Sequence, residues 1–390
     1  MLPYLQYTFP NDLHIHWSIM IVMYPYITGL VAGAFIVSSF FHVFRKEEYE
    51  PIGRFSLLTS LAFLLCATLP LLNHLGHPER AMNIMITPNF SSAMAGFGIL
   101  YTSYLVILIL EIWLVYRKDI VYFAQHYQGI QALPYRLLTL GIYDVSESSL
   151  KTDHKAITVL ATIGMPSACL LHGYVGFLFG AIKANPWWST PLMPIIFLFS
   201  AVVSGIAMLI ILYQSVATFR GEEVSQDCLR GMSRWLWYFQ IQTVTLEILE
   251  IITLSYERNE AWEIIAPLLT HQLAFSFITI QMVLGSLIPF ILLMIVVLMD
   301  RYLHAKVRNA LTFVASLLLL IQVFAMRWNV VIGGQIMSKS LRGLRDFHPE
   351  FLAKEGILPA MLIFSLPFLL LYVLVKFLPP FEKAKVRMSS

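Results

Sequence analysis

The 390-residue sequence predicts an all-α integral membrane protein of about nine transmembrane helices, arranged as two four-helix bundles plus one appended C-terminal helix. Composition is the first observation. Of its residues 58% are hydrophobic and only 13% charged, against roughly 25% charged in a soluble domain. The second is length: nine apolar stretches fall near 19–44, 52–73, 91–116, 155–182, 190–219, 234–256, 271–300, 309–331 and 356–378. Each exceeds the ~20 residues a helix needs to cross a bilayer. None alternates like a barrel strand, the other structure that satisfies its backbone in lipid. The third is the placement of Lys and Arg. One set of connections holds Arg45, Arg54, Arg117, Arg220, Arg301 and their basic neighbours, then the tail Lys376, Lys383, Lys385 and Arg387. The opposite set holds only Arg80, Lys183 and Arg258 before the eighth connection. The inside-positive rule therefore puts the N-terminus outside and the C-terminus in the cytoplasm.

The elements follow in order. The first stretch begins after His14, His16 and Trp17, and the segment before it has no Lys or Arg, so a removable leader is not expected. The second ends in His74 and is followed by His77 and Arg80. Residues 1–116 are expected to form the first half of the helical core. Residues 117–154, with Pro134 and a Ser/Asp-rich run, read as a cytoplasmic linker, and 155–335 as the remainder of the core. Residues 336–390 then hold an outer basic loop, the last helix and a cytoplasmic tail. Trp17, Trp187, Trp188, Trp262 and Trp328 near outer ends, and Trp113, Trp235 and Trp237 near inner ends, form the expected interfacial belts. Cys66, Cys169 and Cys228 have no CxxC spacing, which argues against an iron–sulfur cluster or metal site held by this chain.

Three groups of residues carry chemistry. His14, His16, His74, His77, His271 and His348 gather at the outer edge, where a single histidine is ordinarily just solvated. His172 lies deeper, where an imidazole faces the bundle interior and is a functional candidate or an interhelical hydrogen-bond partner. In the sixth stretch Gln240, Thr243, Glu247, Glu250, Leu254 and Glu257 recur at helical spacing. In lipid such a stripe faces protein or water: it is a proton path, or a helix held between bundles by neutral, hydrogen-bonded acids. The outer loops His74–Arg80, Lys183–Trp188 and Arg327–Gln335 each combine a cation or imidazole with turn residues and aromatics. They suit a flat amphipathic ligand entering from lipid, or simple interfacial anchoring. The basic run from Arg327 to Lys354 goes against the charge rule and is expected to dock an acidic partner.

These motifs together resemble the NrfD family, which includes the polysulfide reductase membrane anchor. The family's outer-loop motif, of the form DLGHPxR, is similar to His74-Leu75-Gly76-His77-Pro78-Glu79-Arg80, with His74 in place of the acid. His16-Trp17, Tyr24, Gly29-Leu30-Val31-Ala32-Gly33, His172-Gly173-Tyr174, the NPWWS run and the segment from Arg327 to Gln335 complete the likeness, from residue 11 to about 335. Within the family, the HPER and RWNVVIGGQ segments look most like the DsrP branch, the membrane subunits of the sulfur-metabolism complex DsrMKJOP. The resemblance implies a menaquinone or other quinone near the outer face and no haem or iron–sulfur cluster in this chain. It also implies a periplasmic ferredoxin-like iron–sulfur partner, with a cytochrome c and further redox subunits as possible companions. On this reading His74, His77 and His172 are catalytic, and His16, Trp17, Arg80, Tyr174 and Arg327 bind the quinone. Gln240, Thr243, Glu247, Glu250 and Glu257 conduct protons. A transporter or proton channel, favoured by Pro166, Pro194 and Pro289, is the rival. A haem b cytochrome is disfavoured, since His42 and His304 lie at inner ends and only His172 is deep. Anchors of hydrogenases and of polysulfide or tetrathionate reductases stay open as alternatives.

Overall fold

The computed structural model describes residues 15–258, 260–338, 340–341 and 343–381. His14, Lys339, Arg342, Lys383, Lys385 and Arg387 lie outside them. Nine long helices run through the described chain: α1 Ile19–His42, α2 Glu47–His74, α3 Ala93–His126, α4 Glu147–Gly180, α5 Met193–Arg220, α6 Gln226–Glu257, α7 Phe275–Leu298, α8 Ala305–Ile336 and α9 Ile357–Phe377. Their starts are written in the sequence. Ser18, Ser92, Ser146 and Ser225 each accept a backbone N–H of the first turn of α1, α3, α4 and α6, one of the donors a helix start otherwise leaves unmet. Pro194 stands in the first turn of α5, and Gly221, at a φ of 68°, ends it in the left-handed conformation glycine tolerates.

Among the described residues eight of these helices are long and apolar enough to cross a membrane. The exception is α6. Its 32 residues span ~48 Å, ample for a crossing, but its acids break the apolar run. It is packed instead between α5 and α7. The first part of α7, Phe275–Leu287, is wound as a wide π-helix, a rare geometry that often marks functional segments.

The packing closes two rings. Helices α1 to α4 touch in the cycle α1–α2–α3–α4–α1, and α5 to α8 in the cycle α5–α6–α7–α8–α5. The rings join where α1 meets α5 and α8 and where α4 meets α5, while α9 lies outside against α2 and α1. The α1–α5 joint is a backbone crossing. A Cβ on Gly33 would sit 2.7 Å from the Cα of Gly205, so only glycine permits this approach, as in small-residue contacts of membrane helices generally.

Helix ends are tied by charge at the end opposite His74. Arg54 pairs with Asp119. Arg117 Nη1 donates to both Asp153 oxygens, at 2.7 and 2.6 Å, and its Nη2 to the Asp144 carbonyl at 2.6 Å. Arg308 and Arg230 both donate to Asp300, at 2.8 and 3.0 Å. Several of the basic residues that set the orientation in the sequence are thus also interhelical clasps.

Candidate functional site

The deepest polar site is built around Arg327, fully buried on α8. Hydropathy ends the eighth stretch at 331, but α8 continues to Ile336, which places Arg327 ~13 Å inside the helix end rather than in a loop. Its Nη2 donates to Ser200 Oγ (2.7 Å) and the Phe197 carbonyl (3.2 Å), and lies 3.0 Å from His172 Nε2. Its guanidinium carbon sits 3.7 Å from the Phe197 ring centre, a cation–π contact that partly replaces hydration. Because a guanidinium only donates, His172 Nε2 must accept, which leaves the ring proton on Nδ1. Among the described residues that Nδ1 has no protein partner. Gly29 makes room for the imidazole, since a Cβ there would come within 3.2 Å of His172 Cε1.

Beside it runs a second network. Glu247 accepts from Gln281 Nε2 (2.9 Å) and from Gln322 Nε2 (3.1 and 3.2 Å). Gln281 Oε1 in turn accepts from Asn329 Nδ2 (2.7 Å), and Asn329 Oδ1 from Ser276 (2.6 Å). Toward the other end, Ser286 donates to the Gln281 carbonyl (2.8 Å) and Gln240 to the Ser286 carbonyl (2.9 Å). The π-turns of α7 present Gln281 and Ser286 to this line. Gln240, Thr243, Glu247 and Glu250 are all buried on one face of α6, whereas Glu257 is exposed at its end.

The third cluster sits where α1, α2 and α9 end together. His74 Nδ1 lies 2.8 Å from Glu355 Oε2, which also accepts from Ser18 Oγ at 2.5 Å. Asn73 Nδ2 donates to the Lys354 carbonyl at 2.7 Å. Trp17, next to Ser18, stacks on Trp188 with ring centres 5.0 Å apart. Trp187 and Trp188 donate to the Asn329 and Val330 carbonyls, at 3.2 and 2.6 Å. The tryptophan pair thereby fastens the start of α1 to the end of α8.

Below this cluster opens an apolar cavity of about 450 Å³ between α1, α5, α8 and α9, lined by Ile19, Met23, Tyr26, Phe324, Ile357 and Phe364 among others. Ile19 follows Ser18 directly and Ile357 lies two residues after Glu355, so the hydrogen-bonded cluster stands at the cavity's edge.

The candidates from the sequence thus separate. His172 and Arg327 meet; Gln240, Thr243, Glu247 and Glu250 share one buried face. His74 lies by Trp17, while His16 is exposed nearby. His77 and Arg80 point outward, their side chains 69% and 70% exposed, and both pair with Glu79. Tyr174 turns toward α3, donating to the Ala93 carbonyl at 2.7 Å; two residues from His172, it faces nearly the other way. The basic run is also not all surface. Arg345 is buried and caps α8 by donating to the Gln335 and Met337 carbonyls. Sequence reasoning missed Glu355, Ser18, Gln281, Gln322, Asn329 and Ser200. The lone amides Gln281 and Gln322 inside apolar stretches were the available signal; Glu355 gave none.

A multi-pass helical membrane protein with buried polar lines and an acid–base cluster at one end is the class these features define. The family described as Polysulphide reductase, NrfD matches residues 9–339, and the chain belongs to it. It is 30% identical to the C subunit of selenate reductase from Mesobacillus selenatarsenatis, over 95% of this chain and 87% of that protein. It is 24% identical to the C polypeptide of polysulfide reductase from Wolinella succinogenes, over 83% and 95%. With the Hdr-like menaquinol oxidoreductase integral membrane subunit of Archaeoglobus fulgidus it shares 22% identity over 56% of this chain and 46% of that one. The chain is accordingly an NrfD-family integral subunit of the prokaryotic cytoplasmic membrane, of the kind found in quinone-linked oxidoreductase complexes.

Proposed function

We propose that the chain exchanges electrons between menaquinol, or another quinone, and an iron–sulfur partner at the His74 end, the outer face by the basic-residue count. The single observation that carries this is the His74–Glu355–Ser18 cluster at the edge of the apolar cavity. An isoprenoid quinone has a small two-oxygen head on a long apolar tail. The residues fit it: a cavity within the ~300–1,000 Å³ of ligand pockets, with a hydrogen-bonding imidazole at its edge. A relative whose name includes menaquinol supports the same choice.

When bound, a quinol supplies two electrons and two protons. With Glu355 ionised, His74 Nδ1 donates to it, leaving Nε2 as the basic nitrogen that takes a proton, while the carboxylate steadies the imidazolium formed. The NrfD motif's acid is absent at position 74, and Glu355 brings a carboxylate to that imidazole from 281 residues away. Trp17 and His16 flank the cluster. Arg327, held by His172, places a fixed positive charge below it, with His172 Nδ1–H as a spare donor. The line from Gln240 through Glu247 and Glu250 carries protons. Exposed His77 and Arg80 meet the partner, and Tyr174 positions α3 against α4. The partner complex acts on a sulfur or selenium compound: the HPER and RWNVVIGGQ segments favour sulfite or sulfate metabolism of the DsrP kind, and two relatives' names favour selenate or polysulfide.

The test is quinol-dependent reduction of the partner in the purified complex. His74→Ala and Glu355→Gln are expected to slow it by about 10²-fold or more, the scale of a lost general base, with assembly intact. Arg80→Glu is expected to weaken partner binding in a salt-dependent way while sparing quinol binding. Wild-type rates in both His74→Ala and Glu355→Gln would sink the assignment.

A further inference from the structure

We infer that Glu111 is a second proton-holding site, on a hydrated line through the α1–α4 ring, separate from Glu247. Glu111 lies on α3 with no exposure, and among the described residues neither carboxyl oxygen has a protein partner. It is not alone. The hydroxyls of Tyr24 and Ser38 on α1, and of Tyr104 and Tyr116 on α3, are buried in the same ring and equally without protein partners. Tyrosine burial does not by itself orphan a hydroxyl here, because Tyr101, one turn from Tyr104, donates to the Leu64 carbonyl at 2.8 Å.

The orphans form a line. Tyr104 stands seven residues before Glu111, on the same helical face two turns away. From Tyr104 to Glu111 the line covers ~10 Å of α3, about a third of a ~30 Å hydrocarbon core. Tyr24, five residues into α1, extends it toward the His74 end. Beyond Glu111 the Arg54 guanidinium lies 4.2 Å from the Tyr116 ring centre and pairs with Asp119; Tyr116, five residues on, is turned ~140° around α3 from Glu111, so this charged helix end lies past the line rather than on it. More than about nine in ten buried polar groups in native proteins have partners. Five such exceptions in one ring, with Tyr104 and Glu111 on one face, therefore call for a small ligand that both donates and accepts, and water does so. A carboxyl on such a line takes a proton from water at the Asp119 end and passes it toward Tyr104, with no bond made or broken but O–H.

This goes beyond the quinone reading and uses that reaction only as the driving force. The experiment is redox-difference infrared spectroscopy of the whole complex in liposomes, cycled electrochemically, with proton movement measured in the same liposomes. We expect a deuterium-sensitive carboxylic C=O band that is lost in Glu111→Gln, kept in Glu247→Gln and shifted in Tyr104→Phe. Protons moved per electron should fall about two-fold or more in Glu111→Gln while quinol oxidation stays within about two-fold. If Glu111→Gln leaves every carboxyl band in place, the inference is overturned. Should Glu111→Gln fail to assemble, Tyr104→Phe decides, and an unshifted band overturns it. A wild-type complex unable to oxidise quinol would instead overturn the functional reading, because the electrochemical band still tests Glu111.

Discussion

Each ring of helices buries acids, and Glu247 in one and Glu111 in the other are held in opposite ways. In the α5–α8 ring Glu247 is held by amide N–H groups from Gln281 and Gln322, themselves tied to Asn329 and Ser276. In the α1–α4 ring Glu111 has no such partner, nor have the tyrosine hydroxyls beside it. A fully satisfied network fixes geometry and favours one arrangement of its members. A carboxyl without protein partners is left to respond to whatever small molecules reach it. The comparison separates two jobs that burial alone does not distinguish: placing a charge, and carrying a proton.

The largest test attacks the joint on which both rings depend. Gly33→Leu puts a side chain into the Gly205 backbone, and the loss should exceed about 4 kcal/mol, the range of severe core disruption. No monodisperse protein should then elute from a sizing column in detergent. Gly173→Ala is the control, since its Cβ would meet only the Pro194 carbonyl at 3.8 Å. Normal elution of Gly33→Leu would mean that the rings are held together elsewhere.

A smaller effect sharpens the contrast between the acids. Gln322→Leu removes a donor from Glu247, and about 1–3 kcal/mol should be lost, as for hydrogen bonds to a charged or strongly polar group. A denaturation series in mixed micelles reads this directly. The smallest effect belongs to Tyr104→Phe, which deletes a hydroxyl that bonds to no protein group. Its stability should stay within about 0.5 kcal/mol of the parent. Equal losses for Gln322→Leu and Tyr104→Phe would erase the difference between the rings.

The same contrast explains what could be read from the sequence. Nine stretches were legible because span length is a property of consecutive residues. So was the α6 face, because Gln240, Thr243, Glu247 and Glu250 repeat at the helical period. Within one turn of Glu111 the helical period offers only Ile107, Leu108, Leu114 and Val115, and Tyr104, two turns away, reads as aromatic core, so the acid went unremarked. The depth of Arg327 was hidden by a boundary drawn at residue 331: the polar residues that end a hydropathy peak are here an interior site within α8. His74 and Glu355 are joined only by the fold, across 281 residues of chain, and no local pattern announces such a contact. Where hydrogen-bond partners lie on other helices, spacing names one member and topology must supply the rest.

Arg327 has a consequence for biogenesis. A lone arginine at the centre of a helix opposes insertion by roughly 2.5–3.5 kcal/mol on the translocon scale. Apart from the adjacent Met326 sulfur, the groups that accept its N–H bonds or stack on it are His172 of α4 and Phe197 and Ser200 of α5, all synthesised before α8. That helix therefore emerges to find its receptor already in the bilayer. For α6 the order is reversed: Glu247 leaves the ribosome ahead of Gln281 and Gln322 and must wait for them. During synthesis α6 is the helix that needs shelter, from α5 or from the insertion machinery, until α7 and α8 arrive to close the ring.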